Sequence, residues 1–308
     1  MSGVLLAFSQ RAFNFHALAE QRKRPQLVTI SYSHYAEAAR WCLDLDGRTY
    51  DEHGYSGGQH VLPVLGARVP LGGGPTFFST SSSINGVKEP SPTSVPVLVF
   101  PSGAVLRDSW EIAASTSLTP IEEDLRVLLD EELGPTLRTL AYCYLFKPGV
   151  LPLFHRLCTD GRPLAFQLFW RLGFGAYLVG YMKSLFATDD PATLPSCEKK
   201  ARKLFARLSE VLDSRGASPF LGGESPGVAD VFLASLAAVV VNPPEYGGAD
   251  RSLANIVGEQ EKLDPAYAAH VESFRQTVLG KFTLSLYATR RKSVGKVTAS
   301  TAPLDGAG

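Results

Sequence analysis

Pro96 stands at the mouth of a short β-branched and aromatic run, Val97-Leu98-Val99-Phe100, and that placement restricts the fold more than any other feature of the chain. A proline gives no amide to a sheet ladder. It marks either the first or edge residue of a strand, or a cis X–Pro bond that turns the chain just before the strand. The second alternative leaves the backbone groups of Val95 facing a ligand. Pro101-Ser102-Gly103 then has the composition of a turn, and Ala104-Val105-Leu106 reads as a second, antiparallel strand. Asp108 caps a helix whose apolar positions include Ile112.

Upstream, Leu27-Val28-Thr29-Ile30-Ser31 is a compact strand entered from Pro25. A helix over Tyr35 to Asp46 follows, with Ala38, Trp41, Cys42 and Leu45 in one apolar stripe and Gly47 just past its end. Thr49 to Glu52 is a further short strand. Strand, helix and strand in so few residues is a βαβ unit, which requires parallel pairing and a right-handed crossover. Arg40 reads as a structural arginine at the helix surface, and Cys42 belongs to the core.

The Val95-Pro96 pair, the hairpin and Asp108-Ser109 opening a helix resemble the glutathione site of the glutathione S-transferase family. Ser31-Tyr32-Ser33-His34-Tyr35 and the helix after it resemble the family's first loop and helix. The stretch Phe220 to Ala234 resembles the start of its core C-terminal helix, with Gly227 at the cap and Asp230 reaching back to the Gly227 amide. The resemblance covers about residues 27 to 285. It implies an α/β thioredoxin-like domain (βαβ…ββα, mixed sheet) followed by an all-α domain.

It also implies a chemistry. Glutathione would be the co-substrate, lying along Val95 and Pro96, with its γ-glutamyl carboxylate met by amides and a hydroxyl at Asp108 and Ser109. Its thiol would end near Ser33, a serine-type site, where hydroxyl and helix start favour thiolate. The thiolate would attack a small electrophile. Ser33 is equally a plain helix N-cap, and one residue can do both. The alternative is a non-catalytic glutathione-binding or scaffold module with the transferase fold. With no cysteine at the turn, disulfide-reductase chemistry is disfavoured, and a homodimer is expected from the resemblance alone.

The chain departs from the family over about 54–92, where Gly, Ser and Pro dominate and only Gln59 to Leu65 has the composition for a turn of helix. Arg68 is a candidate for the glycine end of glutathione, a solvated loop arginine being the plainer alternative. Residues 1–26 read as a flexible basic extension, residues 27–117 as the glutathione-binding domain, 118–288 as the helical domain and 289–308 as a disordered tail. Pro120 is expected at the first position of a helix with Glu122, Glu123 and Asp124 in its first turn.

Composition excludes several classes. Thirty basic and thirty acidic residues cancel, so no global field favours nucleic acid or an anionic membrane. The four cysteines form no CxxC pair and the six histidines no ligand spacing, so neither metal nor disulfide framework is expected. The apolar stretch Leu164 to Phe186 is interrupted by Gln167, Arg171 and Lys183, too soon for the ~20 apolar residues of a membrane span. A buried helix or helix pair is expected there. The location expected is cytoplasmic, with an organelle as the alternative if the basic N-terminal extension is a targeting segment.

Overall fold

In a computed structural model of the chain, the structure describes residues 12–68, 93–247 and 252–291. The described residues divide into two compact units, one up to Thr116 and one from Ser117 to Arg291.

The first unit is built on a four-stranded mixed sheet in the order β2-β1-β3-β4. Its strands are β1 (Gln26–Ile30), β2 (Asp51–Tyr55), β3 (Val97–Val99) and β4 (Val105–Leu106). β1 pairs parallel to β2 and antiparallel to β3, and β3 pairs antiparallel to β4. The period-two alternation of side chains divides the core between two faces. Leu27 and Leu98 pack on one face with Ala39 and Leu43 of α2 (His34–Leu45) and Ile112 of α4 (Ser109–Ala114). Val28, Val97 and Val99 pack on the other with Phe15 and Leu18 of α1 (Phe15–Arg22) and Val64 and Ala67 of α3 (Val61–Arg68).

Two sequence expectations change here. Within the segment 1–26, expected to be a flexible basic extension, Phe15–Arg22 is a packed helix whose Phe15 and Ala19 are fully buried; residues 1–11 lie outside the described residues. Its charges gather at the far end, where Arg22 and Arg24 pair with Asp51 at the start of β2. The apolar residues before them are therefore free to cover the sheet. The loop over 54–92 also holds more structure than one turn: α3 runs through Arg68, because Pro63, Val64, Leu65 and Ala67 complete that face. The Gly/Ser/Pro segment 69–92 and the tail from 292 lie outside the described residues.

A polar network joins α1 to the sheet beneath it. The Gln26 amide donates to Asp51 Oδ2 at 3.1 Å and to the Arg24 carbonyl at 2.9 Å, and its oxygen lies 2.8 Å from His53 Nε2. The His53 ring is edge-on to Phe15, with centroids 5.0 Å apart. Burial, with the Arg22 charge adding to it, pushes the His53 imidazole down to about 4. Below pH 6.5 the unfolded chain binds a proton that the folded chain refuses until about pH 4. Stability from this group is thus complete above pH 6.5 and is lost as the pH falls toward 4, by up to about 3 kcal/mol. Urea midpoints at pH 7 and 4.5 are expected to show this loss, and His53→Gln is expected to flatten it.

The second unit is all helical. Its centre is α11 (Val228–Val241), apolar all round and buried along nearly its whole length, as a central helix must be. Around it lie α5 (Glu123–Val127), α6 (Gly134–Leu145), α7 (Leu151–Thr159), α8 (Leu164–Phe169), α9 (Gly175–Phe186), α10 (Thr193–Asp213), α12 (Ser252–Leu263), α13 (Pro265–Arg275) and α14 (Val278–Arg290). Wide π-helical turns join α5 to α6 and α8 to α9. α5 starts three residues after Pro120, with Glu122 as its cap, so the expected proline start is not used.

The α11 N-terminus is secured by Asp230. Its carboxylate accepts the Leu221, Gly222 and Gly227 amides at 2.8–2.9 Å, while the Val228 amide donates to the Thr119 carbonyl. At the other end Asn242 turns left-handed, and the Arg275 guanidinium donates to the Val241 and Asn242 carbonyls. A cation there complements the negative end of the helix.

The expected burial of Leu164 to Phe186 does not occur. Trp170 is buried, but Leu164, Leu168, Phe169, Leu172, Tyr177 and Tyr181 are all exposed. The local pattern supplied more apolar faces than the unit has surface to cover.

Candidate functional site

Sheet register places the residues singled out in the sequence. β1 ends at Ile30, opposite Tyr55 of parallel β2, so the turn leading to Ser33 leaves the carboxyl end of that pair. Val97 stands opposite Val28, so Val95, two residues earlier in an antiparallel partner, stands at the same end. Leu106 is opposite Leu98, so the chain leaving β4 through Arg107 and Asp108 runs back alongside Pro96. Ser33, Val95, Pro96, Asp108 and Ser109 therefore share one end of the sheet. That end, beyond the carboxyl ends of parallel strands, is where open α/β sheets bind ligands.

The Val95–Pro96 bond is cis. Val95 is half-buried, and among the described residues neither its amide nor its carbonyl has a partner. An unpaired donor and acceptor on extended backbone at a sheet end can pair with an extended peptide, as a further strand would.

Ser33 opens α2 from an extended conformation. Its hydroxyl accepts the Ala36 amide at 3.4 Å, and its own amide donates to the Ile30 carbonyl at 2.9 Å. Accepting a cap bond leaves the hydroxyl proton to donate elsewhere. The turn carries a second hydroxyl, Tyr32, whose oxygen accepts the Gly57 amide at 2.8 Å and ties the turn to the loop after β2. Arg40, expected at the helix surface, is instead buried beneath the turn. It makes a two-point bond to Glu52 at 2.8 and 2.9 Å, a further bond to Glu37, and a longer one from Nη2 to the Ser31 carbonyl. Two carboxylates neutralise it in place, so its role is to hold the turn.

Asp108 caps α4, accepting the Glu111 amide at 2.8 Å, and the Glu111 carboxylate in turn accepts the Arg107 amide at 2.6 Å. Ser109 follows at the first helical position and is 3% exposed. α4 spans six residues, so its dipole is small and local contacts dominate.

One residue matters more here than its place in a glycine-rich loop suggested. Arg68 is neither solvated nor reaching outward. From the end of α3 its Nη2 donates to the Ser94 hydroxyl (2.8 Å), the Ser94 carbonyl (3.0 Å) and the Arg107 carbonyl (2.7 Å). It thereby fastens the segment leading to Val95 to the segment leading to Asp108. Burial, reinforced by the Arg107 charge, lowers its guanidinium to about 10, so it remains a cation at neutral pH. Its signal in sequence was only the run Val61 to Ala67, which carries it onto the sheet as the last residue of a helix.

The chain thus carries, in order, a mixed sheet with a cis proline before its third strand and a bundle around one apolar helix. The architecture is a thioredoxin-like domain followed by an all-helical domain. No protein-family model matches the chain, and no curated protein matches it. Several solved structures are similar to it. A glutathione transferase family member from Pseudomonas fluorescens, solved with two glutathione bound, is 13% identical over 88% of this chain and 97% of its own, with a TM-score of 0.45. The transferase GSTFuA3 from Phanerochaete chrysosporium is 15% identical over 82% and 96%, with a TM-score of 0.46. A transferase from Pseudomonas putida, solved with one glutathione disulfide per subunit, is 12% identical over 90% and 98%, with a TM-score of 0.43.

No disulfide joins the four cysteines, and no cluster of three metal-ligating side chains occurs among the described residues. No helix among them is long and apolar enough to cross a membrane.

Proposed function

We propose that the chain binds glutathione along Val95 and conjugates its thiol to a small electrophile, with Ser33 holding the thiolate. The observation that carries this is the unpaired backbone of Val95 at the same sheet end as the Ser33 turn. A γ-linked tripeptide laid antiparallel to Val95 satisfies both backbone groups. Its γ-glutamyl end reaches the helix start at Asp108, Ser109 behind it being only 3% exposed, and its cysteine points back to Ser33. A free thiol titrates near 8.5. A hydroxyl donor beside the sulfur lowers that value, and each unit represents about 1.4 kcal/mol of stabilised anion.

Ser33 does two jobs, so the test must separate them. Ser33→Ala removes cap and donor together, and loss of the cap costs about 1 kcal/mol of stability. Ser33→Gly costs the cap only a few tenths of a kcal/mol and removes the donor. Both variants are expected to bind glutathione within a few-fold of the unmodified chain by tryptophan fluorescence titration. Both are expected to lose about 10²-fold in kcat/KM for thiol conjugation, the effect of removing one donor to a catalytic anion. Unchanged turnover in Ser33→Gly would remove the serine from the chemistry.

The cap bond from Ala36 favours a second reading, a glutathione-binding or scaffold module without turnover, in which Ser33 is only a helix start. Retention on immobilised glutathione without conjugation selects it. Absence of retention rejects both readings.

A further inference from the structure

The α8–α9 pair leaves an apolar surface uncovered. Nine large apolar side chains are exposed among the described residues, and seven of them lie between Leu164 and Leu185. Leu164, Leu168 and Leu172 follow at intervals of four along α8 and the π turn, and Tyr177, Tyr181 and Leu185 do the same along α9. Leu172, at the joint between the two helices, is 85% exposed and protrudes. Scattered exposed leucines need no explanation, but a concentration of this kind marks an interaction surface.

The opposite side of the pair is firmly attached. Trp170 is buried against Phe154 and Phe166 and donates from Nε1 to His155 at 3.0 Å, while Phe186 packs on Tyr142. Gly175 lets α9 start directly over the Trp170 ring, where a Cβ would collide with the indole. Gly173, at φ +124°, makes the joint, a conformation open to glycine and costly for other residues. The apolar face is thus held outward by its own anchor.

Charge identifies what covers it. The chain as a whole is balanced, yet from Gly161 to Thr188 it carries Arg162, Arg171 and Lys183 and not one carboxylate. Lys183 is paired with Asp189 just beyond, whereas Arg171 is exposed beside Leu172 with no ion-pair partner among the described residues. A second copy docking through the tip of this face about a two-fold axis at Arg171 would oppose the two guanidiniums, with no carboxylate between Gly161 and Thr188 to pair either. Leucine and phenylalanine at the tip, tyrosines behind them and the exposed Arg171 among them are the composition of a helix lying in a membrane interface.

We infer that the α8–α9 pair docks the protein on the surface of an anionic lipid bilayer. Leu168, Phe169 and Leu172 enter the headgroup–acyl boundary, Tyr177 and Tyr181 sit at headgroup level, and Arg171 meets lipid phosphates or carboxylates. No helix among the described residues spans the bilayer. The docking is independent of the glutathione reading, since it uses only residues of the helical unit.

Flotation of the full chain with vesicles of phosphatidylcholine alone, or with 3:7 phosphatidylserine, tests this. Binding is expected to the anionic vesicles, to weaken at high salt, and to be at least ten-fold weaker to neutral ones. Leu168→Asp/Leu172→Asp is expected to abolish it with the melting temperature unchanged, because both side chains are exposed. Arg171→Gln is expected to weaken it about five-fold, the effect of one cation near such a surface. No flotation of the unmodified chain overturns the inference. So does equal flotation of the double-aspartate variant, or a solution dimer that the same variant dissociates without any flotation.

Discussion

Asp230→Ala is expected to cost about 4 kcal/mol and to lower the unfolding midpoint of the helical unit by roughly 10 °C. The carboxylate is fully buried and accepts three backbone amides, from Leu221, Gly222 and Gly227. Removing it leaves three donors unsatisfied, the Gly227 amide buried and the Leu221 and Gly222 amides partly so, a buried one costing about 1–3 kcal/mol, though not additively. Gly227 has no side chain to cap α11, so nothing else replaces the lost acceptor. Asp230→Asn keeps the shape and one good acceptor and is expected to cost less than alanine. Thermal and urea unfolding of the full chain, followed by far-UV circular dichroism, measures both. A loss below 1 kcal/mol in the alanine variant would mean that the amides find water, and that α11 does not depend on this anchor.

Phe15→Ala is the second large effect. Phe15 is fully buried on one face of the sheet, against Leu18, Val28 and the edge of His53. Truncating a buried phenylalanine to alanine costs about 3–5 kcal/mol, the spread reflecting how far the site can collapse. Little collapse is expected here, because α1 is pinned at its other end by Arg22 and Arg24 on Asp51. The measurement discriminates cleanly. A flexible N-terminal extension would show no change in the denaturation midpoint, whereas a core helix shows a loss that rivals deletion of any side chain from β1. Phe15→Leu, which restores most of the volume, is expected to recover over half of it.

The sheet was legible in sequence because its signals are local. The alternation through Leu27 and Val28, the stripe Ala38, Trp41, Cys42 and Leu45, and the stop at Gly47 each depend on residues a few positions apart. The caps were legible for the same reason: Asp108 accepts the amide three residues on, and Asp230 reaches back three to Gly227. Arg40 and Arg68 were misread because an arginine's neighbours in sequence do not reveal whether it is buried. Arg40 is stable in the interior because Glu52, on another element, neutralises it, and Arg68 because two separate loops offer it carbonyls.

Phe15 and Leu172 show where sequence stops. Each lies in an apolar stretch close to basic residues, Arg22 to Arg24 in one case and Arg171 in the other. The first falls in the segment read as a flexible extension and is fully buried; the second falls in the segment read as a buried helix or helix pair and is 85% exposed. By itself the sequence determined periodicity, caps and turns, since these are decided by chain geometry and by hydrogen bonds a few residues long. Which apolar face finds a partner was left to the tertiary structure, because burial requires a matching surface contributed by another part of the chain.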